Sequence, residues 1–233
     1  MILQDLILNF RKQVQDLSAP FLWDEDEALI YAIDAQDVFV RRMGGISDNG
    51  NTGAGTALTD LSLVTAQPTS AFSPFVLKIR SGKLLTAKRD VEIIDESQVK
   101  ELAHRHDYGM QTASYLDDSS TGTVRYGIIG LEDNRLRWYK VPSEADTCRL
   151  HVYRLPYPRI TEQEDDLEIP EYHHYHLIKW MKHLAYSKED AETYDKDLAD
   201  KNEAVFEKYC DTAKSEFERQ RYKPRVVAFN AQW

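Results

Sequence analysis

The stretch TVRYGIIGLEDNRLRWYKVPSEADTCRLHVYRL, residues 123–155, decides the fold because it contains three β-like runs in close succession. The runs occupy residues 123–130, 135–141 and 148–155, and apolar side chains alternate along them, as they do along half-buried strands. The short gaps between the runs are rich in turn-forming residues. This spacing predicts an antiparallel meander, which we place in an inserted β-rich subdomain covering residues 58–167.

Helical patterns precede this region. In residues 1–18 the apolar side chains recur at spacings of three and four, which predicts one amphipathic helix. A second helix is predicted to begin after Asp24, a good N-cap residue, and to end at Gly44 and Gly45. Residues 44–57, GGISDNGNTGAGTA, contain turn-forming residues without periodicity and are predicted to form a loop.

Two more helices are predicted after the β-rich region. The third begins at Pro170, because proline is favoured at the first helical position, and the long fourth helix falls within residues 190–222. The apolar side chains predicted to pack this last helix, within the bundle or between subunits, are Tyr194, Leu198, Phe206, Tyr209 and Phe217. The predicted fold class is α+β: a helical bundle formed by residues 1–57 and 168–222, an inserted antiparallel β-subdomain, and an extended C-terminal tail at 223–233.

The C-terminal tail is unusually apolar for a chain end, since solvated termini are normally polar. Each large apolar side chain left in water would forfeit about 1.5–3 kcal/mol relative to full burial. Two explanations are open: the tail folds back on its own domain, or it adds as a strand to a neighbouring protein. The residues that would make such a contact are Arg225, Val226, Val227, Phe229 and Trp233.

Composition and charge narrow the class of protein. Of the 233 residues 42% are hydrophobic, which excludes a disordered chain. No run approaches the roughly 18 consecutive apolar residues of a membrane-spanning helix, and Arg11, the first cation, follows the apolar start instead of preceding it as in a secretory signal. The formal net charge of −10 argues against tight wrapping of nucleic acid. Since Cys148 and Cys210 indicate unpaired thiols, we expect a soluble intracellular or particle-bound protein with no membrane partner.

The candidate chemical motifs are weak. Residues 50–55 are Gly-rich but lack the Gly-Lys-Ser/Thr ending of a P-loop and the final carboxylate of an EF-hand. Histidines cluster in YHHYH at 172–176, and E-x-x-H occurs at 101–104 and 171–174, so a metal-binding helical-bundle enzyme with His and Glu ligands is one alternative. Against it, a helix start explains Glu171 through the macrodipole. With no nucleophile motif either, we predict no catalytic residue, no metal, no cofactor and no enzyme activity.

Several segments resemble a phage structural family. The segments that carry the resemblance are FLWDE at 21–25, LIYAIDAQ at 29–36, RRMGG at 41–45, CRLHVYRLP at 148–156, IPEYHHYHLIKW at 169–180, AY at 185–186 and DAETYD at 190–195. Together they resemble the head-to-tail adaptor (connector) proteins of tailed phages, relatives of the tail tubular protein A type. The resemblance extends over residues 21–221.

This resemblance implies that the chain assembles with sister copies into a ring, usually dodecameric, in the virion neck after assembly in the host cytoplasm. The ring would join the portal protein to the tail tube or nozzle protein, and genomic DNA would pass through its lumen during packaging and ejection without sequence-specific binding. A net charge of −10 per copy would make an acidic lumen that repels phosphate. The C-terminal segment would hold the portal, which makes the five tail residues named above the predicted portal-binding residues. A different neck joint, such as a stopper or tail-completion protein, is an alternative.

Overall fold

The computed structural model describes residues 3–51, 55–99, 117–162, 165–189 and 193–221. The chain divides into two compact units. One, the helical unit, combines Met1–Gly44 with Arg159–Trp233, and the other, the β unit, is Gly45–Pro158. In the described part of the chain, no helix has both the length and the apolar character that crossing a membrane requires.

In its described residues the helical unit contains four helices with bounds α1 Leu3–Val14, α2 Glu25–Met43, α3 Glu171–Ser187 and α4 Lys196–Arg221. Each buries an apolar stripe, and the fully buried side chains at its centre include Phe10, Phe39, Leu177, Met181 and Phe206. The helical pattern of the sequence arises from this shared core, because side chains three and four positions apart lie on one helix face.

The ends of α2 follow directly from local chemistry. The Asp24 carboxylate accepts a hydrogen bond from the Glu27 amide at 2.6 Å, which satisfies one of the free N–H groups of the first turn. At the other end Gly44 has φ 82°, and its N–H donates to the Arg41 carbonyl at 3.1 Å. Glycine adopts this left-handed conformation readily and is therefore common directly after a helix. The predicted start and end of α2 are both confirmed.

The part of the β unit that the structure describes contains ten strands. Their bounds are β1 Ile46–Asp48, β2 Asp60–Leu63, β3 Thr69–Ala71, β4 Val76–Leu84, β5 Asp90–Asp95, β6 Thr121–Gly122, β7 Tyr126–Ile129, β8 Arg135–Trp138, β9 Val141–Pro142 and β10 Asp146–Arg154. Eight of them form one sheet in the order β1-β10-β4-β5-β7-β8-β3, with β2 also paired to β10. Strands β6 and β9 form a separate two-stranded sheet.

The large sheet curls so that one face encloses an apolar core. Ser70 on β3 donates its hydroxyl to the Ser62 carbonyl on β2 at 2.9 Å, so the β3 end of the sheet approaches the β2 strand. The core side chains come from strands along the whole sheet and include Leu61, Val91, Leu136, Trp138, Cys148 and Leu150. Gly82 on β4 allows a close approach inside this core, since an added Cβ would lie 2.8 Å from the Cys148 sulfur.

The predicted fold, a helical bundle with an inserted antiparallel meander, is wrong. Helices do not dominate, because the β unit makes up nearly half of the chain, and its sheet is mixed: β5 pairs with β7 in parallel, as β6 does with β9. The β7–β8 hairpin is present, but β10 lies beside β4, β1 and β2 instead of β8. Alternation predicts that a segment is a strand and which face it buries, but it does not identify the partner strand. Strand β1 also lies inside the stretch 44–57 that was predicted to be a loop.

Candidate assembly surfaces

The five side chains predicted to pack the last helix divide into two groups. Phe206 is fully buried, with its ring centroid 5.2 Å from that of Trp180. Tyr209 and Phe217 both pack against His173, Tyr209 through a hydrogen bond of 2.8 Å between its hydroxyl and Nδ1. The remaining two, Tyr194 and Leu198, are 51% and 39% exposed at the surface of the helical unit. These two are the most exposed of the five and are available for a contact with another subunit, whereas Tyr209 and Phe217 are half-buried.

The histidine cluster at the start of α3 lies in aromatic packing. The His173 ring lies 4.8 Å from Phe39, and His176 stacks on Tyr209 with ring centroids 3.4 Å apart. His174 is also buried, and its Nε2 is 2.8 Å from the Ile169 carbonyl. Within the described ranges no three His, Cys, Asp or Glu side chains come together as metal ligands would. The other E-x-x-H motif, at 101–104, lies outside the described residues.

The same burial makes the stability of the helical unit sensitive to acid. The pKa of His173 is lowered to about 4, chiefly by burial and then by the nearby His176 and His174. In the unfolded chain the pKa of histidine is about 6.5. Below pH 6.5 the His173 imidazole is protonated in the unfolded chain, but in the folded protein it stays neutral until the pH approaches 4. The contribution of the neutral ring is therefore fully present above pH 6.5 and is lost as the pH falls towards 4.

We predict that the free energy of unfolding declines between pH 7.5 and pH 5, measured by urea denaturation. The variant His173→Gln keeps a polar partner for the Tyr209 hydroxyl but cannot titrate, so its stability should depend less on pH over this interval. An identical pH dependence in His173→Gln and the unchanged protein would contradict the assignment. The pKa of His176 is lowered as well, so some pH dependence will persist in the variant.

A second candidate surface surrounds the connection between α1 and α2. The buried Asp16 carboxylate pairs with Arg11 at 2.8 Å and accepts from the Leu22 amide at 3.0 Å, which fixes the backbone of this connection. Leu17 and Leu22 nevertheless remain 64% and 50% exposed. Phe21, which is 38% exposed, extends this group of exposed apolar side chains, so the connection is a candidate surface for packing against another protein.

The third candidate surface is an open cleft of about 1270 Å³ on the β unit. We call it the basic cleft. The charged side chains that line it are Lys83, Lys88, Arg89, Asp90, Glu92, Arg125 and Arg149. Side chains on adjacent positions of these strands, such as Val91 and Leu150, point into the core instead. The cleft therefore lies on the solvent face of the same sheet that encloses the core.

Strand register brings the charges of the basic cleft together. Lys83 on β4 is directly opposite Arg149 on β10 and Asp90 on β5. Arg149 donates two hydrogen bonds to the Asp60 carboxylate, at 2.7 and 2.8 Å, and this contact raises the pKa of the guanidinium. By contrast, no ion pair within the described ranges involves Lys83. The cations of the cleft that are exposed and have no such pair are Lys83, Lys88, Arg89 and Arg125.

The uncharged part of the cleft includes His151 on β10. Burial lowers the pKa of its imidazole, and the nearby Arg80 lowers it further, while Asp48 opposes the shift. The Ser47 hydroxyl is 2.9 Å from Nε2 of this ring. His151 is therefore neutral at pH 7, and the positive charge of the cleft comes from its lysines and arginines.

Charge is distributed unevenly between the two units. Residues 45–158 contain 13 Lys and Arg against 14 Asp and Glu, which gives the β unit a formal net charge of −1. The helical unit contains 16 against 25, so it carries −9 of the total −10. Acidic character thus belongs almost entirely to the helical unit, whereas the near-neutral β unit concentrates cations in one cleft.

Sequence patterns did not predict the basic cleft. Its cations are spread along the chain from Lys83 to Arg149, and they meet only because β4 pairs with both β5 and β10. The one local signal is the segment 78–89, which contains Lys and Arg but no Asp or Glu. The predicted portal-binding residues Arg225, Val226, Val227, Phe229 and Trp233 lie outside the described residues.

A family model described as SU10 adaptor protein matches residues 1–228, nearly the whole chain. No curated protein matches the chain.

Proposed function

Because the chain belongs to the SU10 adaptor protein family, a family of phage head-to-tail adaptors, we propose that it forms the ring that joins the portal to the tail. The family places it among structural proteins of the virion neck. The observation that carries the proposal is the extent of the match, residues 1–228, since it includes both the helical unit and the β unit. The dodecameric ring, the passage of DNA through its lumen, the portal and the tail tube or nozzle protein as partners, and assembly in the host cytoplasm are parts of this proposal.

Charge and exposure are consistent with such a ring. A closed ring of identical subunits uses heterologous contacts, in which each copy offers two different and complementary surfaces. This chain has a strongly acidic helical unit and a cationic cleft on a near-neutral β unit. An acidic lumen that repels phosphate would have to be lined by the helical unit, because the β unit carries a net charge of only −1.

We expect co-expression with the portal protein of the same phage to give a complex in which a ring of this chain lies on the tail-proximal side of the portal. Electron microscopy shows the position of the ring, and native mass spectrometry gives its copy number, expected to be twelve. A portal from an unrelated phage serves as the control and should remain bare. A bare cognate portal would contradict the proposal, and a ring separated from the portal by another protein would identify a stopper instead.

A further inference from the structure

We propose that the basic cleft binds the acidic helical unit of a neighbouring copy of this chain. The proposal rests on the proposed function, since it identifies the contact that would close the ring. The partner is a second copy of the chain, and the cleft would bind carboxylates on the surface of that copy's helical unit.

The basic cleft carries more positive charge than its own carboxylates compensate, which favours a role beyond folding. Lys83 lies between Arg149 on β10, whose like charge repels it, and Asp90 on β5, whose carboxylate offsets part of that repulsion. Asp60 neutralises Arg149, but the exposed Lys88, Arg89 and Arg125 have no ion pair in the described part of the chain. An external anion placed in the cleft would compensate this remaining positive charge.

Charge complementarity favours a sister copy as the source of that anion. The helical unit of each copy has a net charge of −9, so every copy carries both the cationic cleft and an acidic unit of opposite charge. Exposed carboxylates of the helical unit that have no ion pair within the described ranges include Glu25, Asp26 and Asp200. Such side chains can enter a cationic cleft without first breaking an internal pair.

The acidic residues of the cleft argue for a protein over a nucleic acid. Asp90 and Glu92 line the same wall as Lys83 and would repel the phosphates of a DNA backbone. They suit a partner that carries charges of both signs. The helical unit does so, because it contains 16 Lys and Arg residues as well as 25 Asp and Glu residues. Leu85, which is 38% exposed, adds an apolar side chain to the lining of the cleft, and a protein surface can cover it. Electrostatic contacts of this kind also fix the register of neighbouring subunits in a ring.

Charge reversal tests the proposal on the full chain assembled with its portal. The double variant Lys83→Glu/Arg89→Glu should weaken association between subunits by at least about tenfold, measured by native mass spectrometry at increasing protein concentration. The matched control is Lys78→Glu/Lys140→Glu, which makes the same change in charge at exposed residues of the β unit outside the cleft. We expect this control to assemble normally and both variants to unfold at the same temperature. Equal assembly of the two variants would overturn the proposal.

Zero-length cross-linking of amines to carboxylates identifies the occupant. When unlabelled and ¹⁵N-labelled copies are mixed on the portal, Lys83 and Lys88 should form mixed-isotope cross-links to carboxylates of the helical unit. Cross-links from these lysines only to the portal would overturn the proposal. Binding of duplex DNA that is lost in Lys83→Glu/Arg89→Glu would also overturn it, in favour of nucleic acid. In either case a ring on the portal leaves the proposed function intact, whereas unchanged protein that never joins the portal contradicts both.

Discussion

Replacing Asp48 with alanine is expected to lower the free energy of unfolding by about 3–5 kcal/mol, because it leaves the Arg154 guanidinium buried without the carboxylate that pairs with it. Both side chains are completely inaccessible to solvent, and Nε of Arg154 lies 2.5 Å from Oδ2 of Asp48. The same carboxylate accepts from the Gly50 amide at 2.8 Å, so it also holds the turn that follows β1. Its loss therefore removes an ion pair and a turn contact together.

Urea denaturation followed by circular dichroism measures this effect. The matched control is Asp60→Ala, which breaks the pair with Arg149 in the same β unit, where both side chains are partly exposed. That substitution should cost less than Asp48→Ala, because solvent reaches the Arg149 guanidinium that it leaves without its carboxylate. The double variant Asp48→Leu/Arg154→Met should recover much of the loss, because apolar groups can replace a buried pair. A cost for Asp48→Ala no larger than that for Asp60→Ala would show that the buried pair does not stabilise the sheet.

The helices were predictable because their signals are local. Asp24 and Gly44 mark the ends of α2 through hydrogen bonds made within a few residues, and apolar side chains three and four positions apart show which face is buried. The fourth helix was predicted to begin earlier than it does. Helix α4 starts at Lys196, and the Asp195 carboxylate before it accepts a hydrogen bond from the Leu198 amide at 2.9 Å. Here a capping side chain further along the chain sets the helix start.

The sheet was less predictable because its order depends on contacts distant in sequence. Asp48 lies in a Gly- and Asn-rich stretch that is typical of a loop, yet β1 forms there by pairing with β10. Arg154 occupies a position of β10 that faces the protein interior, where an apolar residue would be expected. It can be fully buried there because Asp48 compensates its charge. The basic cleft follows from the same strand order. Neither feature has a local signal, since both require knowing which strands are neighbours.

Deleting residues 225–233 is expected to abolish attachment of the ring to the portal. The deleted segment contains four large apolar side chains, and burying each against a partner is worth about 1.5–3 kcal/mol. A loss of that size in every subunit removes binding entirely in a co-purification assay with the portal. Single substitutions should weaken portal binding according to the size of the apolar side chain removed, so Trp233→Ala should weaken it more than Val226→Ala. Gln232→Ala, at a position not predicted to contact the portal, is the control.

The stability of the truncated protein separates the two explanations for this apolar tail. If the tail binds the portal, the isolated protein loses no contact on truncation, and its unfolding temperature should match that of the full chain. If the tail instead packed on its own domain, removal of the four apolar side chains would lower that temperature by several degrees and leave portal binding intact. We expect the first outcome, because strand addition supplies main-chain hydrogen bonds as well as pockets for alternate side chains. A truncated protein that still joins the portal would contradict a portal-binding tail.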